Sequence, residues 1–367
     1  EVMWPLSEAV DGLAEACLAL GTPVVGGNVS LYNESRGADI DPTPVVAVLG
    51  IVDRLDRRPP GVGLVDGGRL VLVGDGPTSL AGSLWAWTEG HRGGMLPAVD
   101  LQAVNRVAGV VRDVGPAVQT FRPGDRVCAL LPGGGYAELA SVPAGMLLRL
   151  PDDWSFAQGA AVPEVWYTAF INLFDEGQLK AGETALVHAG ASGVGTAAIQ
   201  LAADAGARVL ATAGSDEKTA RCRELGAELA INYKQADFLA EVLAATGGAG
   251  VDVILDPVGG GYLARNVAAL RRFGRLVLIA NLGGTTGELD TGKVLGKRLR
   301  IIGSTLRGRP VAEKIAITRK FEAEVWPKLA DGRLKPIIDR AFPIAEASAA
   351  HAYVLADRNI GKVILQV

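Results

Sequence analysis

The chain has 367 residues, of which 49% are hydrophobic, and this is the composition of a globular protein with a buried core. Its formal net charge of −4 argues against nucleic acid or an anionic membrane as the main partner. The longest apolar runs, such as PVVAVLGIV, are too short to span a bilayer. The three cysteines, Cys17, Cys128 and Cys222, lie far apart without a CxxC pair, so we expect a reduced, cytoplasmic protein.

The first hundred residues predict a mixture of helix and strand. Apolar residues recur at spacings of four and three from Leu6 to Leu20, which predicts an amphipathic helix that ends at Gly21. TPVVGGNVSLYNE follows as a strand that runs into a Gly-rich turn, and PTPVVAVLGIV and GGRLVLVGD are further strand candidates. We therefore expect residues 1–102 to form an α+β fragment.

The pattern changes twice after residue 102. Residues 103–155 contain four short β-branched runs, RVAGVVRDVG, GDRVCALL, YAELASV and MLLRLP, which predict a small all-β unit. Residues 156–310 alternate apolar strands with helices, which predicts parallel β-α-β units in a doubly wound α/β sheet. Residues 311–367 predict helices and a final strand, KVILQV, that complete the two preceding units.

The segment ALVHAGASGVGTAAIQLA predicts a phosphate-binding turn. A strand ends at Gly190, a turn of small residues follows, and a helix begins near Gly193. The N–H groups at a helix N-terminus attract an anion, and Gly195 allows the helix to pack closely on the strand. Ser192 stands where the strict dinucleotide fingerprint has its second Gly. The strand–turn–helix context favours dinucleotide binding over a purely structural turn.

The end of the next strand indicates which dinucleotide is bound. NAD sites place Asp or Glu there to bond the ribose 2′-OH, whereas ARVLATAG ends in Ala213 and Gly214. Ser215 and Lys218 follow, and a hydroxyl and a cation suit a 2′-phosphate. The sequence therefore favours NADPH, with a solvated helix face as the alternative for Lys218.

From about residue 105 to the end, the chain resembles the medium-chain dehydrogenase/reductase superfamily, in particular the zeta-crystallin-like NADPH:quinone oxidoreductases. The resemblance rests on motifs that include VAGVVRDVG, GDRVCALLPGGGYAE, PEVWYTAF, ELGAELAINYK, LDPVGG, GSTLRGR and NIGKVILQV. It implies a Rossmann domain beside a GroES-like β-domain. It also implies cofactor contacts in three groups: Ser192, Gly193, Val194 and Gly195 at the pyrophosphate; Ser215, Lys218 and Tyr233 at the adenosine 2′-phosphate; Thr168, Leu282, Gly283 and Asn359 at the nicotinamide side.

The same resemblance implies hydride transfer from NADPH to a quinone or an α,β-unsaturated carbonyl, in a protein that forms a homodimer. Many relatives hold zinc, but three scattered Cys and three scattered His cannot assemble its ligands, so we expect zinc-independent chemistry. His188 is expected to be a satisfied core residue. Tyr233 as a strand-end core aromatic and Asn359 as a turn residue are the plain alternatives. No catalytic residue is identified.

Residues 1–102 resemble a different family, the large synthetase subunit of phosphoribosylformylglycinamidine synthase, through GGNVSLYNE, IDPTPVVAVLGIVD and WAWTEGHRGGMLPAVDL. The resemblance implies that Gly27 contacts ATP, Asn28 ligates Mg²⁺ and Ser30 contacts the formylglycinamide ribotide substrate. Ordinary turn chemistry is the alternative for Asn28 and Ser30. Because the ATP-binding domain of that family is much longer, we do not expect ligase activity.

The two resemblances meet in PAVDLQAVNRVAGVVRDVGP, residues 97–116. The reductase family has several β-strands before VAGVV, whereas here AVNR runs directly into that motif. This predicts a truncated GroES-like domain with exposed strand edges. Three functions stay open: a quinone or enone reductase, a non-catalytic NADPH-binding protein, and a remnant of the ATP- and Mg²⁺-dependent ligase. Substrate turnover, binding without turnover, and Mg²⁺-dependent ATP binding distinguish them.

Overall fold

The computed structural model describes residues 106–131, 135 and 139–366, together with two short strands nearer the start of the chain. The chain divides into two compact units, Glu1–Leu101 and Gln102–Val367. In the first unit, strands β1 (Glu34–Ser35) and β2 (Ala38–Asp39) pair in the antiparallel direction. The elements that follow belong to the second unit.

A three-stranded antiparallel sheet consists of β3 (Arg106–Val110), β4 (Arg126–Leu130) and β5 (Leu147–Arg149), with β4 in the centre. Three of the four predicted runs in this part are therefore strands. The run YAELASV lies partly outside the described residues, and its described end is not a strand. The apolar side chain of Val110 is 56% exposed on the outer strand, so this small sheet leaves apolar surface open.

Two helices that the sequence analysis missed precede the large sheet. α1 (Phe156–Ala160) begins with a capping box, in which Ser155 and Gln158 satisfy each other's backbone N–H groups. α2 (Val165–Phe170) passes directly into a π-helical segment, Ile171–Glu176. Neither helix shows the regular apolar spacing that would predict it. In α2 the reason is that every residue is buried, so no polar face alternates with an apolar one.

The second sheet confirms the predicted doubly wound α/β fold. It has six parallel strands: β6 (Thr184–Val187), β7 (Arg208–Ala213), β8 (Leu229–Asn232), β9 (Val251–Asp256), β10 (Leu270–Leu278) and β11 (Arg300–Gly303). Their order is β11-β10-β9-β6-β7-β8. The chain order reverses between β6 and β9, and sheets of this kind bind ligands in the crevice at the carboxyl ends of such strands.

Both faces of this sheet are buried. Ala185 and Val187 belong to one apolar cluster and Leu186 to another, because successive side chains of a strand point to opposite faces. The covering helices are α3 (Gly193–Asp204), α4 (Asp216–Glu224), α5 (Phe238–Ala245), α6 (Leu263–Ala269) and α7 (Thr291–Lys297). This double burial explains why the strands read as continuous apolar runs.

The C-terminal part contains the predicted helices and final strand, together with one strand more. The segment ITRKFEAEVWPKLADG belongs to two helices, α8 (Val311–Glu324) and α9 (Trp326–Ala330), since Pro327 suits the first turn of a new helix and not a helix interior. β12 (Ile338–Pro343) was not predicted. It pairs in parallel with β13 (Lys362–Gln366), and α10 (Ala347–Leu355) connects the two. Among the described helices, none has the length and apolar character needed to cross a bilayer.

Candidate cofactor site

The turn between β6 and α3 presents a helix N-terminus at the carboxyl edge of the sheet. Gly190 N donates to Thr212 O at 2.8 Å, so the turn leaves the sheet alongside β7. Ser192 caps the helix, and its Oγ accepts a hydrogen bond from Gly195 N at 3.0 Å. The predicted strand–turn–helix is therefore present, with Ser192 acting as the N-cap.

Gly195 is required by the close approach of α3 to this turn. A Cβ at Gly195 would lie 2.6 Å from the Cα and carbonyl carbon of Gly190 and against Ala189 O, all of which are backbone atoms. Gly193 faces side chains instead, since its Cβ would meet the Lys362 side chain and Val165. Gly195 therefore allows the helix to pack closely on the turn, whereas Gly193 keeps the turn open.

A cleft of about 1300 Å³ opens beside the turn, between the large sheet and the three-stranded sheet. Six of the predicted cofactor residues line it: Thr168, Ser192, Gly193, Val194, Leu282 and Asn359. Apolar side chains from the other side of the cleft include Val110, Val114 and Phe156. Gly190 and Gly195 form the turn behind this surface.

The segment before the last strand crosses the phosphate turn. Gly361 N donates to Ala191 O at 2.8 Å, and Ser192 pairs with Gly361 in an isolated bridge. Asn359 Nδ2 donates to Gly361 O at 2.9 Å. Asn359 thus performs the turn role given as its alternative and also lines the cleft.

Two loops form the wall that carries Leu282 and Gly283. Leu282 N donates to Pro257 O at 3.1 Å, and Gly283 N donates to Val258 O at 2.7 Å. The Leu282 side chain is 79% exposed. Gly283 packs against Val258, since a Cβ there would lie 2.7 Å from Val258 Cγ1. Gly283 therefore supports the wall from behind.

The residues predicted at the adenosine 2′-phosphate lie together at the ends of β7 and β8. Ser215 caps α4 by accepting from Lys218 N at 3.2 Å. Lys218 Nζ donates to both Asp357 O and Asp357 Oδ1 at 2.6 Å, and the residue is buried, so the solvated-face alternative for Lys218 is wrong. Tyr233 follows β8, is partly exposed, and places its hydroxyl against Gly214.

Family models match the chain in three segments. The zinc-binding dehydrogenase model matches residues 193–321, and the alcohol dehydrogenase GroES-like domain model matches residues 43–152. The model of the N-terminal domain of AIR synthase related proteins matches residues 1–52. The GroES-like match thus overlaps the segment that resembles the purine-biosynthesis synthase. The chain combines segments similar to two families.

The quinone oxidoreductase of Rattus norvegicus is 32% identical over 271 residues, which cover 73% of this chain and 80% of that protein. The chain belongs to the quinone oxidoreductase family. It is an oxidoreductase of the medium-chain dehydrogenase/reductase superfamily. Among solved structures, an Escherichia coli quinone oxidoreductase complexed with NADPH superposes with a TM-score of 0.65 at 28% identity, covering 74% of this chain and 84% of that one. An NAD-dependent alcohol dehydrogenase gives 0.65 at 33% identity, covering 73% and 84%.

In this member of the quinone oxidoreductase family, a buried polar network connects residues at the carboxyl ends of β6, β7 and β9. His188 Nδ1 lies 2.9 Å from Thr212 Oγ1, and His188 Nε2 lies 2.8 Å from Asn266 Oδ1. Asn266 Nδ2 donates to Asp256 Oδ2 at 2.9 Å. The amide oxygen of Asn266 must then accept from His188 Nε2, which sets the tautomer. His188 is buried and both of its ring nitrogens have hydrogen-bond partners, so the expectation of a satisfied core histidine is confirmed. Burial lowers the pKa of His188 to about 4.

Asp256 connects this network to the wall of the cleft. Its Oδ1 accepts from Val258 N at 2.6 Å and from Gly259 N at 3.2 Å, and burial raises the pKa of its carboxyl. Asp256 therefore holds the loop in which Pro257 O accepts the hydrogen bond from Leu282 N. The sequence analysis used LDPVGG as a family motif and did not identify Asp256 as a site residue. The sequence signal that could have identified Asp256 is a carboxylate at the end of a strand, followed three residues later by glycine.

The described residues contain no group of three or more His, Cys, Asp or Glu placed to hold a metal ion. Cys128 and Cys222 are buried free thiols, and burial raises the pKa of each, that of Cys222 to about 12. The ligase-like candidates Gly27, Asn28 and Ser30 lie outside the described residues.

Proposed function

We propose that the protein transfers a hydride from NADPH to a quinone or an α,β-unsaturated carbonyl without zinc. The observation that carries the proposal is the Ser192-capped turn, closed by Gly195 and open to the 1300 Å³ cleft. A helix N-terminus with a glycine cradle fits a pyrophosphate. The NADPH-bound Escherichia coli quinone oxidoreductase, which covers most of this chain, supports the same assignment.

The chain's own residues would hold the cofactor along the cleft. Since Ser192 Oγ already accepts from Gly195 N, the N–H groups of Gly193 and Val194 remain for the pyrophosphate. Thr168, beside the cleft, offers the nicotinamide a buried hydroxyl that has no hydrogen-bond partner among the described residues. When bound, NADPH supplies the hydride, and the protein orients it.

The preference for NADPH would arise at Ser215, Lys218 and Tyr233. β7 ends at Ala213 and Gly214 follows it, so the carboxylate that NAD-selective sites place at this position is missing. Lys218 uses two of its three N–H donors on Asp357 and keeps one for a phosphate oxygen. Because a solved NAD-dependent alcohol dehydrogenase is also similar to this chain, the affinities for NADPH and NADH have to be compared directly.

The hydride acceptor would lie against the apolar wall that Val110, Val114 and Phe156 form. Apolar walls with few polar groups suit planar carbonyl compounds such as quinones. Because the cleft opens to solvent, water can protonate the reduced product, and we assign no catalytic residue. The same proposal includes a cytoplasmic location and a homodimer formed by edge pairing of the large sheets.

The first test is a fluorescence titration of the full chain with NADPH and with NADH, followed by turnover of a quinone and an enone. Saturable binding that prefers NADPH is expected. Lys218→Ala should weaken NADPH binding about tenfold or more and leave NADH nearly unchanged, because it removes a charge-assisted contact. Lys293→Ala, at an exposed pair with Asp290, is the control for loss of a lysine.

Activity after exhaustive dialysis against a chelator tests the zinc-independent part. We expect it to remain unchanged, and a loss that zinc restores would contradict the proposal. NADPH binding without turnover of either substrate class would favour the non-catalytic alternative. Mg²⁺-dependent ATP binding that Asn28→Ala abolishes would identify the ligase remnant.

A further inference from the structure

A short segment of β10 bulges out of the large sheet. Leu270 pairs with Val251 of β9. The next register pair joins Arg275 to Val253, so residues 271–274 of β10 stand opposite a single residue of β9. A bulge re-aims the side chains that it removes from the ladder, and here the removed residues read Arg-Arg-Phe-Gly.

The bulge lies at the amino end of the parallel strands. Val251 is the first residue of β9, and Arg300, which pairs with Arg275, is the first residue of β11. The phosphate turn follows the carboxyl end of β6 instead. The bulge and the proposed cofactor site therefore lie at opposite edges of the sheet, and the proposed hydride transfer makes no use of the bulge.

Phe273 stands in the bulge with a strained backbone and an exposed ring. Its φ is 65°, in the left-handed region that a bulky side chain rarely adopts. The residue is nevertheless 51% exposed, so burial of the ring does not offset the strain. The next residue, Gly274, is buried, and a Cβ there would lie 2.8 Å from Leu270 Cδ2. Packing under Gly274 thus fixes the backbone that presents Phe273 to solvent.

Two arginines from different parts of the chain lie over the ring of Phe273. The Cζ atom of Arg272 is 5.1 Å from the ring centroid, and the Cζ atom of Arg298 is 5.0 Å from it. Arg298 ends α7 in the left-handed conformation, with φ of 53°. Because a cation–π contact holds a guanidinium group without using its N–H donors, both groups are positioned and keep their donors.

These two guanidinium groups are exposed, and within the part of the chain that the structure describes they form no hydrogen bond or ion pair. The neighbouring basic residues are engaged. Arg271 lies 3.5 Å from the carboxylate of Asp252, and Arg300 donates to Gln178 Oε1 at 3.3 Å. An external acceptor would therefore find its donors on the two arginines that contact Phe273.

The chemistry of this surface fits an acidic peptide. A guanidinium group binds a carboxylate through two parallel N–H bonds, and the exposed ring can be covered by an apolar side chain. Aromatic residues and arginine are also the residue types enriched at the centres of protein interfaces. Nucleic acid fits less well, since it requires a run of phosphate contacts and the net charge of −4 opposes its approach.

We propose that Arg272, Phe273 and Arg298 form a docking surface for a protein segment in which acidic residues flank an apolar residue. The carboxylates of that segment pair with the two guanidinium groups, and its apolar side chain covers the ring of Phe273. This interaction is separate from the proposed hydride transfer, because the surface lies at the amino edge of the sheet. The strained backbone of Phe273 is then retained for binding and not for folding.

The test titrates the full chain with a short fluorescein-labelled peptide that contains a leucine between two glutamates, and follows fluorescence anisotropy. In one control peptide serine replaces the leucine, and in the other lysine replaces both glutamates. The acidic leucine peptide should bind saturably, more weakly at high salt, and at least about fivefold more tightly than either control. Absence of binding, or equal binding of the leucine and serine peptides, would overturn the proposal.

Variants test the individual side chains. Arg272→Ala and Arg298→Ala should each weaken the acidic peptide about tenfold, whereas Arg333→Ala, which removes an arginine near Asp204, should leave its affinity unchanged. Phe273→Gly should weaken the peptide and raise the urea midpoint of unfolding, because glycine adopts a positive φ without strain. Unchanged affinity in the first two variants, or a lower midpoint in Phe273→Gly, would overturn the proposal.

Two further measurements exclude other occupants of this surface. Oligothymidylate that binds as tightly as the acidic peptide would assign the surface to nucleic acid, and a changed sedimentation coefficient in Phe273→Gly would assign it to a second copy of this chain. Either result would overturn the proposal. NADPH affinity should be the same in the wild type and in Phe273→Gly. Wild-type protein that binds the acidic peptide but not NADPH would contradict the proposed function and support this proposal.

Discussion

Replacing Gly195 by Ala tests the packing of α3 on the phosphate turn. The new Cβ would lie 2.6 Å from two backbone atoms of Gly190, and backbone cannot rotate away as a side chain can. Replacing Gly by Ala in a helix gains about 0.5–1 kcal/mol, whereas overpacking costs about 1–3 kcal/mol. We expect Gly195→Ala to lower the free energy of unfolding by about 1–2 kcal/mol.

Gly193→Ala is the matched control, two residues away in the same helix. Its Cβ would meet the flexible side chain of Lys362, and Val165 Cγ1 at 3.2 Å, so the neighbours can adjust. We expect the free energy of unfolding to change by less than about 0.5 kcal/mol. Because Gly193 lines the cleft, the added methyl group should obstruct the pyrophosphate and weaken NADPH binding.

Urea unfolding followed by circular dichroism measures the first effect, and NADPH titration measures the second. The two variants should separate: Gly195→Ala loses stability, and Gly193→Ala loses affinity with stability kept. Equal stability of the two variants would refute the packing argument. NADPH affinity of Gly193→Ala equal to wild type would show that the pyrophosphate binds elsewhere.

Three further predictions concern charge and pH. Arg275 donates to both oxygens of Glu183, at 2.6 and 3.1 Å, so Glu183→Gln should lower the free energy of unfolding in urea at pH 7 by about 1–3 kcal/mol. Burial opposes ionisation of Glu183, but hydrogen bonds from Arg275 and a backbone N–H hold its pKa below the ordinary value. The difference in stability between the wild type and Glu183→Gln should therefore disappear as the pH falls below about 4. Burial lowers the pKa of His188 to about 4. The unfolded chain therefore binds the extra proton first, and the wild type should lose about 1.5 kcal/mol between pH 6.5 and 5 that His188→Gln does not lose. Asp357→Asn removes the carboxylate that pairs with Lys218, so NADPH affinity should rise relative to NADH in paired titrations, and a fall would mean that Asp357 orients Lys218 for the phosphate.

The sequence by itself determined the doubly wound sheet and the phosphate turn. VDVILD is apolar enough to be buried on both faces, and all six of its residues are buried in β9. The order of strand, small-residue turn and helix located Ser192 and Gly195, because backbone approach at such a turn depends on local side-chain size. Both features are set by residues adjacent in the chain, so a local pattern is sufficient to predict them.

Only the tertiary structure decided the pairings between distant residues. β12 is a strand because β13 lies beside it, and Lys218 contacts Asp357, 139 residues away. The unpaired oxygens of Thr168 and Asn172 likewise depend on the other elements that enclose them. A hydrogen bond left unmade is a property of the surrounding packing, which no local pattern records.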